Sequence, residues 1–449
     1  MRAEPQAAPY VPDAQISAVA EWLADPVAPA RFPQAELRFR NRRWESAVGL
    51  ADLSDANFTR HFSCFDPLPD NLPQPLALKY HGHQFRVYNP QIGDGRGFLY
   101  AQLRDGAGRL LDLGTKGSGR TPYSRTADGR LTLKGAVREI LATEMLEALG
   151  VYTSKTFAVI ETGEALVRGD EPSPTRSAVL TRLSHGHIRI GSFQRLAALE
   201  ELEHLAQLVS YALDQFPGPP PPPDAPGGEQ PAVQLMHLAV ERLADLAASY
   251  MVAGFVHGVL NTDNMNITGE SFDYGPWRWL PRWEPEFTAA YFDDHGLYAF
   301  GRQPGAIRWN LGQLAIALRP LVEAEPLIAA LDRFGPLYEE AMLRRFTWRL
   351  GVASEGPEAD AARVAQAEVD MREQGMGPDL WFHRQRGQSG EPEAMLIDEV
   401  EAIWAAIAER DDWSLLHEKV ARLHALGRDL GEPPAPAGHL SDRIGGSNR

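Results

Sequence analysis

The sequence has only one cysteine, Cys64, so no disulfide can form within the chain. Such sparse cysteine usage is typical of proteins that work in a reducing compartment. The first residues, MRAEPQAAPYVPDAQ, lack the apolar stretch that a secretory signal requires. We therefore expect a cytoplasmic protein.

The sequence also lacks long uninterrupted apolar runs and an excess of basic residues. The most apolar long window, LAVERLADLAASYMVAGFVHGVL, contains Glu241, Arg242 and Asp245, which predicts a buried helix rather than a membrane span. Lysine and arginine number 44 against 60 acidic residues, a net charge of −16. This charge repels nucleic acid and anionic membranes, so neither is an expected partner.

The 449 residues are enough for two lobes. Residues 1–75, rich in Pro, Ala and Arg, are predicted to be an N-terminal extension without catalytic signature. Residues 76–190 show strand patterns and one helix pattern, which indicate a β-rich N-lobe. Residues 191–449 are predicted to be a mainly helical C-lobe, interrupted by a Pro-rich exposed loop at 217–231. The predicted fold class is α+β.

Two patterns define the N-lobe more closely. The runs GFLYAQLRD and RLLDLGTKG, joined by DGAG, predict a β-hairpin. In LTLKGAVREILATEMLEALG, apolar residues recur every four positions from Leu133 to Leu149 and predict a helix that ends at Gly150. A further helix is predicted from about Val233 to Ala253, directly before the segment HGVLNTDNMNI.

That segment has the ends of the protein-kinase loop H-R-D-x-x-x-x-N, with His257 and Asn264 at the kinase spacing. The kinase aspartate, however, is replaced by Val259, which cannot accept a proton. Asp263 is the only acid inside the loop and is the candidate for the missing base. The simpler alternative is that Asp263 caps a local turn, and His257 is expected to be a structural hydrogen-bonding residue.

Other parts of a nucleotide site precede this loop in kinase order. Gly93, Gly95 and Gly97, in PQIGDGRGFLY, allow backbone amides to approach phosphates, although most such runs are ordinary turns. Lys116 ends a predicted strand, and Glu139 lies on the predicted helix, as in the kinase ion pair. Glu139 lies off the apolar stripe, so a solvated glutamate is the alternative.

Asp273-Tyr274-Gly275 resembles the kinase D-F-G triplet and follows Asn264 by nine residues. The oxygens of Asn264 and Asp273 suit Mg²⁺ or Mn²⁺ on nucleotide phosphates. Each of these motifs is weak evidence alone. Their occurrence in the same order as in kinases favours a kinase-like nucleotide site over coincidence. Arg182 and Arg189 are able to bind phosphate bidentately, but surface arginines are common, and the sequence alone does not select these two.

Long strings in this region resemble the selenoprotein O family: YHGHQF, PQIGDGRG, KGSGRTPYSRTADGR, SHGHIRIGSFQ, HGVLNTDNM, DYGP and WNLGQLA, from about Tyr80 to Leu318. The resemblance implies a two-lobed, protein-kinase-like fold and transfer of AMP from ATP to Ser, Thr or Tyr hydroxyls of proteins, with release of pyrophosphate. A subset of bacterial members uses UTP with manganese, so uridylyl transfer is the nearest alternative. A nucleotide-binding scaffold without turnover is another, and Val259 argues against a small-molecule kinase.

The resemblance also assigns roles to residues. It implies Asp263 as the catalytic base and Asn264 and Asp273 as ligands of Mg²⁺ or Mn²⁺. ATP lies reversed in this family, with its α-phosphate towards the protein substrate, and this accounts for Val259. The sequence departs from the family at Arg86, where glycine is usual, and in its C-terminal third, which contains neither cysteine nor selenocysteine. The implied nucleotide contacts are Gly93, Gly95, Arg96, Lys116, Asp128, Gly129, Glu139, Arg182, Arg189 and Asp273.

Overall fold

The structure is a computed structural model and describes residues 5–169 and 171–439. Its strands are β1 (Ala24–Pro26), β2 (Glu36–Arg40), β3 (Leu76–Leu78), β4 (Gly82–Gln84), β5 (Val87–Asn89), β6 (Leu99–Arg104), β7 (Leu110–Lys116), β8 (Leu131–Thr132), β9 (Lys155–Leu166), β10 (Thr175–Ser184), β11 (Phe255–Val256) and β12 (Arg278–Trp279). Its α-helices are α1 (Ala20–Leu23), α2 (Arg42–Ala47), α3 (Asp55–Thr59), α4 (Leu133–Ala148), α5 (Ile190–Ala198), α6 (Leu202–Gln215), α7 (Pro231–Ala253), α8 (Gln303–Leu318), α9 (Ala324–Asp332), α10 (Phe334–Leu350), α11 (Pro357–Glu373), α12 (Pro378–Gln385), α13 (Ile397–Arg410) and α14 (Ser414–Leu430).

The first lobe is built on an eight-stranded sheet. Its order is β1-β3-β6-β7-β10-β9-β2, and β8 pairs with β10 beside this path. Neighbouring strands run antiparallel, and the predicted hairpin is confirmed as β6 and β7. One face of the sheet packs on α4, because apolar side chains of β9 and β10 meet the apolar stripe of that helix.

The residues before 76, which the sequence predicts only as an extension, supply both outer strands of the sheet. Strand β1 pairs with β3, and β2 pairs with β9. Phe58 and Phe62 are fully buried and pack against Phe157 of β9. This segment is therefore an integral part of the first lobe. Strands as short as β1 have too few residues to show the alternation by which strands are recognised.

Helix α4 confirms the prediction made from its apolar stripe. It begins after Thr132, whose hydroxyl accepts a hydrogen bond from Gly135 N, and the chain turns away at Gly150, where φ is 73°. Glu139 is 1% exposed rather than solvated, because it pairs with Lys116 of β7 and lies beside Arg182 of β10.

The second lobe is helical, and its central helix leads into the predicted catalytic loop. Helix α7 confirms the helix predicted from about Val233, and Gly254 ends it in a left-handed conformation. No helix or strand occurs between α6 and α7, in agreement with the Pro-rich loop predicted there. We propose the boundary between the lobes near residue 190, after β10 and before α5.

Helix α7 also settles the interpretation of the most apolar window. Two of its charged residues are buried and paired: Arg242 donates to the carbonyls of Phe216 and Gly438, and Asp245 accepts from Arg345. In the described part of the chain, no helix is both long enough and apolar enough to cross a membrane.

The architecture is the predicted α+β, protein-kinase-like arrangement of two lobes.

Candidate active site

A cleft of about 330 Å³ lies between the sheet of the first lobe and the loops that follow α7. The first lobe contributes the glycine-containing loop 92–97, Lys116 and two arginines, and the second contributes two aspartates. Residues from separate parts of the sequence thus share one cavity, as in ligand sites generally. The predicted residues that line it are Gly93, Gly95, Arg96, Gly97, Lys116, Arg182, Arg189, Asp263 and Asp273.

Lys116 is held between two carboxylates. Its Nζ lies 2.6 Å from Glu139 Oε2 of α4 and 3.0 Å from Asp273 Oδ1. Burial alone would raise the pKa of Asp273, but Lys116, Arg182 and other nearby cations hold that pKa well below its usual value. Asp273 is therefore ionised at neutral pH. Glu139 does not line the cleft itself and contacts it through Lys116.

The two arginines are buried and belong to the same network. Arg182 Nη2 lies 3.4 Å from Asp273 Oδ1 and 3.6 Å from Glu139 Oε1. Arg189 Nη2 donates to Asp94 Oδ1 across 2.8 Å, and its guanidinium lies 4.3 Å from the ring of Tyr80. The Nε atoms of both arginines have no hydrogen-bond partner among the described residues. Buried donors without a partner are available to an anionic ligand.

The loop after α7 is fixed by buried amides from α8. Gln303 accepts from His257 N, and Asn310 donates to the carbonyl of Leu260. The ring of His257 contacts the Phe272 carbonyl at 3.1 Å, which agrees with the predicted structural role. The residues 262–264 form a single 3₁₀ turn that carries Asp263 and Asn264.

Asp263 is a buried carboxylate at the edge of this turn. Burial raises its pKa to about 6, although the nearby Arg189 opposes that rise. Within the described residues its Oδ1 accepts no hydrogen bond. A carboxylate with this pKa and a free oxygen is able to accept a proton near neutral pH.

The glycines of loop 92–97 are required by protein contacts. A Cβ on Gly93 would lie 2.5 Å from the Tyr123 ring, and one on Gly97 would lie 2.0 Å from the Thr115 carbonyl oxygen. The segment 121–127 folds over the loop, and the hydroxyl of Thr121 donates to the Asp94 carbonyl. Glycine at these positions therefore lets the two loops pack closely against each other.

Four predicted residues do not line the cleft: Asp128, Gly129, Asn264 and Glu139, the last of which contacts it through Lys116. Asp128 pairs with Arg168 across 2.9 Å and, like Gly129, lies outside the lining. Asn264 is buried beside the cleft, and its side-chain amide donates a hydrogen bond to the Val259 carbonyl.

Several residues that line the cleft were not predicted from the sequence. Ile92 and Asp94 could have been found, since they lie within the glycine-containing loop; the others are Tyr80, Gln84, Thr115, Tyr123, Ser124, Arg125 and Ala127.

The side chains of Asp273, which lines the cleft, and Asn264, which lies beside it, fit a hard divalent cation. Asn264 donates its Nδ2 to Val259 O across 3.0 Å, which leaves its carbonyl oxygen as a possible ligand, and Asp273 adds an ionised carboxylate. In the described ranges, no three His, Cys, Asp or Glu side chains cluster so as to hold a metal. Mg²⁺ typically uses one or two protein oxygens together with phosphate oxygens and water, so this pair fits a nucleotide-bound ion.

The chain is similar to known proteins over most of its length. The chain is 47% identical over 336 residues to a protein nucleotidyltransferase YdiU of Synechocystis sp., covering 74% of this chain and 68% of that protein. It is 40% identical over 455 residues to the protein of the same name from Gloeobacter violaceus, covering 89% and 92%. The Pseudomonas putida protein of that name is 37% identical over 396 residues, covering 87% and 77%.

A solved structure, the Toxoplasma gondii specific rhoptry antigen kinase domain, matches 66% of this chain and 84% of that domain, at 14% identity and a TM-score of 0.27. That similarity is too low to bear on fold or function. The family model described as protein adenylyltransferase SelO matches residues 9–377. The chain therefore belongs to the SelO family and is a nucleotidyltransferase.

Proposed function

We propose that this enzyme transfers AMP from ATP to Ser, Thr or Tyr hydroxyls of proteins and releases pyrophosphate. The observation that carries the proposal is the convergence of Lys116, Arg182 and Arg189 on one cleft that also contains the carboxylate of Asp263. Buried cations of this kind bind a polyphosphate, and a carboxylate beside them is able to receive the hydroxyl proton.

The proposed orientation of ATP places its terminal phosphates on the most buried cations. Lys116 and Arg182 are 3% and 5% exposed, and both already hold a carboxylate oxygen of Asp273. Arg96 and the amides of Gly93 and Gly95 would contact the remaining phosphates. In this orientation the α-phosphate lies towards Asp263, and the kinase base position, occupied by Val259, has no function.

The reaction is a single displacement at the α-phosphorus. The acceptor hydroxyl oxygen bonds to that phosphorus, and the bond to the oxygen that bridges to the β-phosphate breaks. Pyrophosphate leaves, and the hydroxyl proton passes to Asp263. Bound at Asn264 and Asp273, Mg²⁺ or Mn²⁺ would neutralise charge on the phosphates. A cytoplasmic location is part of the proposal and is supported by the single cysteine.

Transfer of label tests the reaction class directly. The protein is incubated with ATP or UTP labelled at the α- or γ-phosphate, with Mg²⁺ or Mn²⁺, and with a cytoplasmic protein extract as acceptor. We expect protein-bound label from α-labelled ATP and none from γ-labelled ATP. Label from the γ-phosphate would mean a kinase, and a higher kcat/KM with UTP would replace adenylyl by uridylyl transfer. Nucleotide binding without label transfer would indicate a nucleotide-binding scaffold that has no turnover.

The variant Asp263→Asn tests the role of the base. We expect it to lose about a hundredfold or more in kcat, the usual contribution of a general base, while it still binds nucleotide. The matched control is Asp332→Asn, because Asp332 is an exposed aspartate whose side chain only pairs with Arg308 on the surface.

A further inference from the structure

The hairpin of β4 and β5 brings an unusual turn next to the proposed catalytic loop. Gln84 pairs with Val87, so the loop between the strands consists of Phe85 and Arg86 alone. Their φ angles are 49° and 64°, in the left-handed region. Two-residue hairpin turns of this shape favour Asn and Gly, because a larger side chain is strained there. The chain nevertheless places an aromatic ring and a guanidinium at this tip. Residues with strained backbone angles cluster at binding sites.

The tip is tied to the catalytic loop by hydrogen bonds. Thr262 Oγ1 accepts from His83 N across 2.7 Å, and Asn261 Oδ1 accepts from Phe85 N across 3.0 Å. Gln84, one residue before the tip, lines the nucleotide cleft beside Asp263. The tip therefore adjoins the position where the acceptor hydroxyl has to arrive.

An exposed aromatic surface continues from the tip across the second lobe. The Phe85 ring lies 5.8 Å from that of Phe292, which lies 5.1 Å from Tyr291. On the other side, the Arg86 guanidinium lies 5.4 Å from the ring of Trp309 on α8. We call these five residues the docking surface. Tyr291 is 83% exposed and Phe292 is 47% exposed, which is unusual for adjacent aromatic residues of an isolated protein.

The charge of the docking surface is also unbalanced. Arg86 is exposed and forms neither an ion pair nor a hydrogen bond with any residue in the ranges that the structure describes. Asp293 is not available to it, because its carboxylate accepts from Leu297 N and Tyr298 N. The exposed Asp294 is not within ion-pair distance of it either. In a chain of net charge −16, an unpaired arginine beside the cleft attracts an acidic group on a partner.

We propose that the docking surface binds the segment of the acceptor protein that carries the modified hydroxyl. This inference rests on the proposed function and names the chemistry of its protein substrate. An apolar side chain of the segment packs on Tyr291 and Phe292, and an acidic side chain pairs with Arg86. The location of the docking surface identifies the bound segment. When an acceptor hydroxyl reaches Asp263, the residues that flank this hydroxyl lie over the hairpin tip.

The test uses matched synthetic peptides. Each contains Ser, Thr and Tyr next to leucine, and one carries glutamates where the other carries lysines. Transfer from α-labelled ATP is measured for the full chain, for Arg86→Ala and for the double variant Tyr291→Ser, Phe292→Ser. We expect the wild type to prefer the acidic peptide about tenfold in kcat/KM, the size of one good contact. Arg86→Ala should abolish that preference, and the double variant should raise KM for both peptides with nucleotide affinity unchanged.

Controls separate this proposal from general damage and from the proposed function. Val167→Ser and Ile328→Ser remove exposed apolar residues, 79% and 54% exposed, away from the cleft, and should transfer as the wild type does. If wild type labels the peptides but the surface variants label them equally well, the docking proposal is wrong and the transferase activity stands. If no peptide and no protein in an extract is labelled, both fail. If sedimentation shows a dimer that only the double variant dissociates, the occupant is a second copy and the proposal is overturned.

Discussion

The carboxylate of Asp94 accepts a hydrogen bond from Arg189 Nη2 across 2.8 Å and thereby fixes the arginine to the glycine-containing loop. The other carboxylate oxygen accepts from Leu78 N across 3.1 Å. Asp94 thus joins β3, the loop and Arg189. It places an acid in a cleft proposed for a triphosphate, where charge alone would disfavour it.

We predict that Asp94→Ala raises KM for ATP about tenfold, because a charged hydrogen bond contributes roughly 1.5–3 kcal/mol and Arg189 loses its fixed orientation. Asp94→Asn keeps an acceptor oxygen and should recover part of the loss. The measurement is steady-state transfer from α-labelled ATP. Tighter ATP binding by Asp94→Ala would show that repulsion outweighs positioning.

Lys116→Met should abolish transfer, with a loss of about a hundredfold or more in kcat/KM, and should also destabilise the fold. The substitution leaves Glu139 and Asp273 buried without their shared cation, and breaking a buried pair costs about 3–5 kcal/mol. The control is Lys134→Met on α4, the helix of Glu139, since Lys134 pairs with the half-exposed Glu401 at the surface. Transfer assays and urea unfolding of both variants check the prediction, which is wrong if the two behave alike.

Val259→Asp should not create a kinase. The substitution restores the residue type of the kinase loop, but the proposed orientation of ATP presents the α-phosphate to the acceptor. We therefore expect no protein label from γ-labelled ATP, while label from α-labelled ATP persists at a reduced rate. Appearance of γ-label would show that the triphosphate binds in the kinase direction.

The stability of the fold should depend on pH through Glu270. Burial raises its pKa from 4.5 to about 7, although Lys155 and Arg109 oppose this. The folded state therefore binds more protons than the unfolded state between these values, and Glu270 lowers stability as pH rises through that window. Glu270→Gln removes this penalty.

The free energy of unfolding of Glu270→Gln relative to wild type should therefore increase by about 2 kcal/mol between about pH 5 and pH 8, given about 1.4 kcal/mol per pKa unit. Urea unfolding at the two pH values measures it. A constant difference between the proteins would mean that Glu270 titrates normally.

The parts of the site that depend on local order were predictable from the sequence. The pair Lys116–Glu139 follows from a strand end and a helix in kinase order, and the structure joins them at 2.6 Å. The alternative for Glu139, a solvated position off the apolar stripe, is wrong because that side of α4 faces Lys116 of β7 and Arg182 of β10. Contacts between elements so distant in the chain leave no periodic signal.

The parts that depend on loops folding over one another were not predictable. Tyr123 packs on Gly93, and Ser124 donates to the Gly95 carbonyl, yet nothing in KGSGRTPYSR marks these contacts. Arg182 gave no signal either, because a buried and an exposed arginine look the same in a sequence. Its burial follows only from the pairing of β10 with β7, which points it towards Lys116.

The contact of Asp273 with Lys116 and Arg182 has a consequence for how the enzyme is loaded. Lys116 and Arg182 already face a carboxylate, so under the proposed function a triphosphate that binds these two cations replaces one anionic partner with another. We therefore propose that Asp273 would exchange its contact with these two cations for a contact with the divalent ion. The ion is then expected to bind more tightly together with the nucleotide than alone.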